Sequence, residues 1–513
     1  MSILSRVTSI FRSVATARPV PEVRQAKTVR GRYDAAGDGS ETINIWASAD
    51  ALNADASNSL AVRTKLRNRD RYERSNNGHK AGMHRTHANY VIGKGPTLMM
   101  KTGSPGFNAM VESEWNRWAK AAKFARKLRQ LNRAKTGDGE ALAVIITDLG
   151  IRHPVKINLR PVECDRLTSP QFRTDDERYV DGITFDENGN PLYYDILDRH
   201  PGATVTSGAL EKFTRYSATF VCHWFFDERP EQHRGVPETA ATLNLFPTAR
   251  RFREATVAAA ETAADYSAVL EMGIASDGND EVAPFTSLPI EKRTMLVSPA
   301  GASIKQLQAE HPATTYEMFN RSILCEEARP LNMPYNIAAC DSSGYSYSGG
   351  QLDHQTYYVA LGIEQQECEA DVVEPTFEAW FREAREKFGW NSELDSVPKH
   401  AWGWPGKPHN DPVKTATARK IALSTGTMTL GRIYAEDGAD YEDALDEMAV
   451  EYGVSVDEMK RRILDANLAG GVDVSDSTRP DRAEQSDVDE TERAEAAFAQ
   501  RVINGNGHAR FTI

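Results

Sequence analysis

A long alanine-rich segment, residues 247–272, constrains the fold more than any other feature of the chain. Its apolar and small residues recur at steps of three and four through Phe252, Ala259, Ala263 and Tyr266, which predicts one continuous α-helix. With a rise of 1.5 Å per residue, such a helix would extend roughly 39 Å. Small side chains allow a second helix to approach closely, and no adjacent segment supplies an obvious partner. The segment therefore favours packing against a neighbouring subunit.

The chain has 513 residues, which is too long for one ordinary hydrophobic core and predicts two or three modules. Hydrophobic residues make up 40% and charged residues 26%, so most of the chain should fold. The net charge of −12 is unusual for a protein that grips nucleic acid through its phosphates. Any contact with DNA should therefore be brief, low in friction, or confined to local basic patches.

Cysteine usage indicates a reduced, cytoplasmic protein without disulfides. The five cysteines are far apart, and no pair has the spacing of a zinc finger or a CxxC motif. We expect buried thiols at all of them: Cys164, Cys222, Cys325, Cys340 and Cys368. No apolar run approaches the ~20 residues needed to span a bilayer, so no membrane partner is expected.

The first part of the chain predicts an α+β module over residues 46–235, after a flexible arm over residues 1–45. A helix near residues 109–131 carries Trp115 and Trp118 on one face, where core packing is expected. The β-branched run Glu140–Thr147 predicts a strand, and alternating residues around Asn188-Gly189 predict a hairpin with that pair at its turn.

A run of basic residues lies near the start of this module. It is the densest basic patch in the chain and has two interpretations: a solvated helix face, or a contact with nucleic acid or an acidic neighbouring subunit. Its members are Arg63, Lys65, Arg67, Arg69, Arg71 and Arg74.

A polar, glycine-rich segment over residues 341–350 is expected to form a loop between two helices, the second of which should run over residues 351–387. Its hydroxyls would line a wet surface and its glycines would let it move. Its residues are Asp341, Ser342, Ser343, Gly344, Tyr345, Ser346, Tyr347, Ser348, Gly349 and Gly350.

Motifs of catalysis are mostly missing, so the sequence predicts a structural protein without catalytic residues, metal or cofactor. The phosphate-binding pattern GxxxxGK[ST] is absent. Ser346 lies in a partial match to the nucleophile elbow GxSxG, without its second glycine. His79, His84 and His87 could supply two metal ligands on one helical turn, but no acidic residue lies beside them in sequence. A hydrolase built on these residues stays the less favoured alternative.

Several motifs, in order over about residues 33–455, resemble the lambda-type portal family of tailed phages. The segment Asp181–Pro201, with Asn188-Gly189 at its turn, is similar to the family's hairpin. The run RPEQHRGVP, from Arg229 to Pro237, is similar to a family motif in which Glu231 is usually glycine. Gly139-Glu140 and the run from Glu163 to Leu167 resemble its strand segments.

The resemblance implies an α+β, predominantly helical subunit with wing, stem, clip and crown regions. It implies a ring of about twelve copies at one capsid vertex of the virion, assembled in the host cytoplasm, that conducts double-stranded DNA during packaging and ejection. The implied partners are the major capsid protein, the terminase large subunit, the head–tail adaptor and the DNA. A different ring-forming virion connector is the alternative within this class.

Mapped onto the sequence, the resemblance places the wing at 46–235 and a stem helix at 236–272. The clip would occupy 273–314, and a second stem helix with its connection 315–340. The channel loop would be 341–350, followed by a long helix and wing return at 351–410. The crown would be 411–468 and a disordered acidic tail 469–513. Phe252, Ala259, Ala263 and Tyr266 would pack between subunits.

Overall fold

The computed structural model describes residues 48–176, 178–203, 212–265, 269–272, 302–305, 316–390, 397–406, 412–436 and 441–469. The predicted arm, most of the predicted clip and the predicted tail from residue 470 onwards lie outside these residues. The chain divides into two compact units, Met1–Ser57 and Asn58–Ile513. In the first unit the described residues include one helical turn, α1 (Ala54–Ser57).

The second unit opens with four helices: α2 (Leu60–Asn76), α3 (Gly78–Ile92), α4 (Pro105–Ala122) and α5 (Phe124–Asp138). Asn77 separates α2 from α3 and caps α3, because its side chain accepts the His79 N–H at 3.1 Å. The single helix predicted near 109–131 was wrong. Lys123 adopts a left-handed conformation with φ 55° and divides it, although the local sequence has no glycine or proline to signal a break.

An aromatic core holds these helices to the second half of the unit. Trp115 lies 4.7 Å from Trp118, 5.3 Å from Phe377 and 5.4 Å from Trp402 between ring centroids. Both tryptophans of α4 are at most 1% exposed, which confirms their predicted core packing. Trp402 lies on strand β11 (His400–Gly403), which pairs antiparallel with β1 (Thr97–Met100).

Two antiparallel sheets follow the opening helices. Strand β2 (Glu140–Thr147) confirms the predicted strand and lies between β3 (Ile157–Val162) and β8 (Val221–Phe225). The second sheet has the order β4-β5-β6-β7. Its strands are β4 (Tyr179–Val180), β5 (Ile183–Phe185), β6 (Pro191–Leu197) and β7 (Phe213–Ser217).

The predicted hairpin is strands β5 and β6, and it turns at Asn188-Gly189 as expected. Gly189 has φ 81°, and Asp186 accepts the Asn188 N–H at 2.8 Å. A second apolar core, which includes Leu142, Ile183 and Val221, is shared by residues of both sheets. The fold is therefore α+β and predominantly helical, as predicted.

The alanine-rich segment forms helix α6 (Leu245–Asp265), so the helix predicted to continue to residue 272 was too long. Residues Val269–Met272 form strand β9 instead, which pairs antiparallel with β10 (Ala302–Lys305). The partner of β9 lies some thirty residues further along the chain, so the local helical periodicity carries no signal for it. Helix α7 (Tyr316–Ala328) packs against α6.

A long helical run then follows α8 (Tyr335–Ala339). It comprises α9 (Tyr347–Cys368), a π-helical turn (Glu369–Val373) and α10 (Glu374–Phe388). This confirms the long helix predicted over 351–387, but the helix begins at Tyr347. Tyr347, Ser348, Gly349 and Gly350 therefore belong to the first turn of α9, and their assignment to a loop was wrong.

The last described region contains α11 (Pro412–Ser424), α12 (Leu430–Glu436), α13 (Tyr441–Tyr452) and α14 (Val456–Ala469). Leu445, Ala449 and Met459 form a small core of their own. Thr429 caps α12, since its hydroxyl accepts the Arg432 N–H at 3.3 Å. Among the described helices, none combines the length and apolar character that a membrane crossing requires.

The cysteines divide into two groups. Cys164, Cys222 and Cys368 are buried free thiols, as expected, and burial raises the pKa of Cys222 to about 12. Cys325 and Cys340 are exposed, so the expectation that all five are buried was wrong. Cys325 lies on α7, and Cys340 lies at the end of α8, directly before the polar segment that begins at residue 341.

Candidate functional site

The glycine-rich segment is a short, ordered connection between α8 and α9. Helix α8 ends at Cys340, whose φ of 53° turns the chain away from the helix. Asp341 then accepts the Ser343 N–H at 2.9 Å, and Tyr345 N–H donates to the Ser342 carbonyl at 3.2 Å. The Ser343 hydrogen bonds lower the pKa of Asp341, so this carboxylate is charged at neutral pH.

Tyr345 is held in place by its own chain. Its hydroxyl donates to Asp353 on α9 at 3.1 Å, and the Arg321 guanidinium lies 5.9 Å from its ring centroid. Partial burial, followed by the Asp353 contact, raises the pKa of Tyr345. The exposed polar surface of this connection therefore consists of Ser342, Ser343, Gly344 and Ser346.

Backbone conformation explains one glycine of the segment. Gly344 has φ 73°, a region that residues with a Cβ atom rarely adopt, and no atom lies within 4 Å of the place where a Cβ would be. The backbone N–H of Gly349 donates a hydrogen bond of 3.2 Å to the Ser346 hydroxyl, and Ser346 thereby caps α9. Movement of the residues before α9 stays a prediction.

Helices α6 and α7 form a pair with an exposed apolar surface. The Phe252 ring stacks on Tyr316 at 5.8 Å and contacts Phe319 edge-on at 4.8 Å between centroids. Val257 is 58% exposed and Met318 is 68% exposed. The base of α6 is anchored, since Arg250 pairs with Glu73 of α2 at 2.9 Å.

The residues predicted to pack between subunits through α6 differ in their surroundings in the structure. Phe252 contacts α7 of its own chain, and Ala259 is half-buried. Ala263 lies on α6, while Tyr266 lies outside the described residues. Packing of this surface against a neighbouring subunit stays a prediction.

The basic residues on α2 are divided between two sides of the helix. The prediction that they form one contact patch was therefore wrong. Arg63 and Arg67 are at most 3% exposed, and Arg71 and Arg74 are half-buried. The spacing of four, four and three residues along α2 places these arginines on one face, which is turned into the protein. Lys65 and Arg69 lie on the opposite side and are exposed.

The inward arginines bind a row of carboxylates. Arg67 Nη2 lies 2.6 Å from Glu140 Oε1, and Arg71 Nη2 lies 2.5 Å from Asp165 Oδ2. Arg63 pairs with Asp181. Isolated buried charges are strongly unfavourable, so each arginine is tolerated only with its partner. The run is therefore a set of structural ion pairs that holds α2 to the strands.

Glu140, at the start of β2, is the centre of this set. It contacts Arg67 and Arg234, and its second oxygen lies 3.1 Å from His223 Nε2. Burial alone would raise the pKa of Glu140, but the charges of Arg234 and Arg67 outweigh burial and hold that pKa well below its usual range. Arg234 also donates to Asp181 Oδ2 at 2.5 Å.

Glycines make this close approach possible. A Cβ added to Gly139, which has φ 90°, would lie 2.4 Å from the Val236 carbonyl carbon. A Cβ on Gly235 would lie 1.9 Å from the Gly139 carbonyl oxygen. Two sequence motifs far apart in the chain, Gly139-Glu140 and Arg234-Gly235-Val236, therefore lock together through their backbones and their charges.

Comparison with known proteins identifies the family. A family model described as phage portal protein, lambda family, matches residues 43–358, which is more than half of the chain. The chain belongs to the lambda family of phage portal proteins. The residues that lock together around Glu140 all fall within the matched region of this portal protein.

Individual relatives are distant. The portal chain is 23% identical over 422 residues to a probable portal protein of Halomonas phage phiHAP-1, covering 75% of this chain and 79% of the relative. A chain in the virion of a native gene transfer agent particle is 13% identical, with a TM-score of 0.43, over 74% of this chain and 93% of that chain. An HK97 family portal protein from Corynebacterium diphtheriae is 12% identical, with a TM-score of 0.25, over 70% and 97%.

Glu231, in the run from Arg229 to Pro237, adopts a φ of 61°. This left-handed conformation is unfavourable for residues with a Cβ atom. A glycine at this position would adopt the same conformation without that cost.

A second buried charge centre in the portal chain was not predicted from its sequence. Lys135 Nζ lies 2.5 Å from Glu364 Oε1 and 3.0 Å from Glu238 Oε1, while His87 Nε2 lies 2.7 Å from Glu364 Oε2. Burial would raise the pKa of Glu364, but His87 and Lys135 lower it well below the usual range. His87, Glu238 and Glu364 have metal-ligand character, yet the Lys135 ammonium already balances their charge within the chain.

The serine and the histidines that were considered for catalysis lie on or next to helices α9 and α3. Ser346 Oγ accepts the helix-capping N–H of Gly349. His84 is fully buried, and burial, with the nearby charge of Lys80, holds its pKa well below the usual range. His79 is half-buried on α3. The described contacts of Ser346 include no histidine, so they do not form the nucleophile–base pair that hydrolysis requires.

Proposed function

We propose that this portal protein forms a ring of about twelve copies at one capsid vertex and conducts double-stranded DNA during packaging and ejection. Family membership carries this proposal. The subunit would be assembled in the host cytoplasm and would dock the terminase large subunit first and the head–tail adaptor later. The major capsid protein would surround the ring. The chain would need no cofactor and would carry out no catalysis.

The exposed surface of α6 and α7 supports assembly through these helices. Val257, Met318 and Phe319 are between 46% and 68% exposed, and exposed apolar side chains on this helix pair are what an interface between subunits would cover. Alanines such as Ala255 and Ala260 add small, exposed positions that allow close helix approach. In the proposed ring this pair belongs to the stem, residues 273–314 would form the clip, and residues 411–468 would form the crown.

The connection between α8 and α9 would face the channel. Its exposed hydroxyls, Ser342, Ser343 and Ser346, offer weak and water-mediated contacts to a passing duplex. The charged Asp341 and the acidic balance of the chain oppose tight binding of phosphates. A conduit needs such a surface, because strongly bound DNA would not move.

Negative-stain imaging of the purified chain, with its mass in solution, tests the ring. Rings with a channel of roughly 20 Å, wide enough for a duplex, would support the proposal. A small closed oligomer without a channel would overturn it.

The role of the channel connection is tested with Ser342→Lys. A ring of about twelve lysines in the channel should bind passing phosphates and lower DNA packaging at least tenfold while ring formation stays unchanged. Asn68→Lys adds the same charge at an exposed position on α2 and should package normally. If both variants package DNA equally well, the connection between α8 and α9 does not face the channel.

A further inference from the structure

Four arginines form a like-charged surface group on helices α3 and α5. Arg126, Arg129 and Arg133 recur at steps of three and four on α5, and Arg85 lies on the neighbouring α3. Arg85 and Arg126 are exposed, and the other two are half-buried. Partial burial and then the charges of Arg129 and Arg85 lower the pKa of Arg133, which is the effect of like charges near one another. We call this set the arginine group.

The arginine group has no counter-charge in the part of the chain that the structure describes. No carboxylate oxygen there lies within ion-pair distance of any of the four guanidinium groups. Arg129 instead donates to the carbonyl of Gly93. Like charges at helical spacing destabilise one another, and an acidic partner that covers this surface would offset their repulsion.

A second like-charged set, the acidic group, comprises Asp227, Glu367 and Asp371. Asp227 is exposed and the other two are half-buried. Burial, followed by the charges of Glu367 and Asp227, raises the pKa of Asp371 to about 6. The charge of Lys135 acts on Asp371, and its Nζ lies 3.8 Å from Glu367 and contacts Glu364 and Glu238 as well.

The two groups lie on opposite sides of the same pair of helices. Lys135 follows Arg133 by two residues on α5, so it points about 200° away around the helix. His87 follows Arg85 by two residues on α3 in the same way. Lys135 and His87 both contact Glu364, three residues before Glu367. Helices α3 and α5 therefore separate the arginine group on one side from the acidic group on the other.

We propose that the arginine group of one subunit binds the acidic group of a second copy of this chain, and that repetition of this contact closes the ring. The proposal rests on the ring proposed above and names an interface within it. Complementary groups on opposite sides of a subunit produce a head-to-tail contact, which is the kind that generates rings. Each contact would relieve the like-charge repulsion on both of its sides.

The test uses two charge-reversed variants of the full chain. The first is Arg85→Glu with Arg126→Glu, and the second is Asp227→Arg with Glu367→Arg. Each alone should lose rings at least tenfold relative to the unaltered chain at equal concentration, because acid would face acid or base would face base. Arg117→Glu with Arg152→Glu changes the same charge at two exposed arginines outside the group and should form rings normally.

Mixing the two variants provides the decisive measurement. Every contact between unlike variants pairs opposite charges again, so the mixture should recover rings in which the two variants alternate. A misfolded variant could not be rescued in this way. Native mass spectrometry of the recovered rings should show equal numbers of both variants.

Other outcomes overturn the proposal in distinguishable ways. If each variant forms rings alone, the ring stands and this interface is wrong. A third outcome is that mixing the two variants does not restore rings, and that only the variant with Arg85→Glu and Arg126→Glu loses its retention of duplex DNA in a filter-binding assay. The arginine group is then a surface that binds nucleic acid. If the unaltered chain and the control form no rings, the proposed function itself fails.

Discussion

Arg234 and Glu140 lie 94 residues apart in the sequence and form a two-point ion pair, with Arg234 Nη2 2.5 Å from Glu140 Oε1 and Nε 3.0 Å from Oε2. Both side chains are at most 1% exposed. The pair joins the run of residues 229–237 to the start of the central strand β2. Because Arg67 of α2 contacts the same carboxylate, the pair also connects the opening helices to the sheets.

Removal of the arginine should leave Glu140 charged and buried without its main partner. We expect Arg234→Ala to lower the free energy of unfolding by about 3–5 kcal/mol. Arg234→Lys should recover only part of this loss, because an ammonium cannot bind both carboxylate oxygens. Urea unfolding followed by tryptophan fluorescence measures the effect. Arg152→Ala, at an exposed site, should change stability by less than about 0.5 kcal/mol, and equal losses in the two alanine variants would contradict the prediction.

Gly139→Ala tests the backbone contact behind the same pair. The new Cβ would collide with the Val236 carbonyl carbon, and the φ of 90° is unfavourable for alanine. We expect a loss of at least about 2 kcal/mol. Gly82→Ala on α3 meets open space and should instead raise stability by about 0.5–1 kcal/mol. Thermal unfolding of both variants should move in opposite directions, and a common direction would refute the assignment.

Glu327 should make stability depend on pH. Burial raises its pKa to about 7 in the fold, although Arg253 and Lys80 act in the opposite direction, whereas the ordinary value is 4.5. The folded state therefore holds this proton more tightly than the unfolded state. The resulting stability is fully present below pH 4.5 and is lost as the pH rises towards 7.

Glu327→Gln removes this titration. We expect the variant to be more stable than the unaltered chain at pH 8 by on the order of 2 kcal/mol, and equally stable near pH 4. Urea midpoints across this range provide the measurement. A stability difference that does not change with pH would show that Glu327 does not carry the effect.

Ring formation should also depend on pH if the acidic group pairs with arginines. The pKa of Asp371 is about 6 in the subunit, raised by burial and then by Glu367 and Asp227. An arginine partner would lower that pKa, so assembly should release a proton. The interface is then strongest above pH 6 and weakens as the pH falls below it.

Asp371→Asn separates this effect from general acid sensitivity. The variant should form fewer rings than the unaltered chain at pH 8, and the difference should narrow as the pH falls from 6 towards 5, because Asp371 of the free subunit is then largely protonated. Sedimentation of both chains at the two pH values measures it. Rings of the unaltered chain that are more abundant at pH 5 than at pH 8 would contradict the sign.

Local patterns predicted elements where a periodic signal and its physical cause lie within a few residues. The hairpin turn at Asn188-Gly189 follows from the preference of glycine for positive φ, and Gly189 has φ 81°. The strand Glu140–Thr147 follows from its β-branched residues. The tryptophan pair of α4 lies in the core because its spacing places both rings on one face.

Predictions failed where the deciding partner is distant. Val269–Met272 continue a helical pattern but pair with residues 302–305. Lys123 breaks a helix without any local signal. The first turn of α9 extends into the glycine-rich segment because Ser346 caps it, and this position was assigned to a loop by composition alone.

By itself, the sequence determined the family, the mixture of helices and strands and the turns, because propensity, periodicity and motif spacing act over short stretches. Only the tertiary structure decided the roles of the charges. Arg67 and Arg126 are both helical arginines in basic surroundings, yet one is buried against Glu140 and the other is exposed without a carboxylate partner among the described residues. Burial and counter-charges come from distant segments of the chain, and they decide whether an arginine stabilises the fold or is available to a partner.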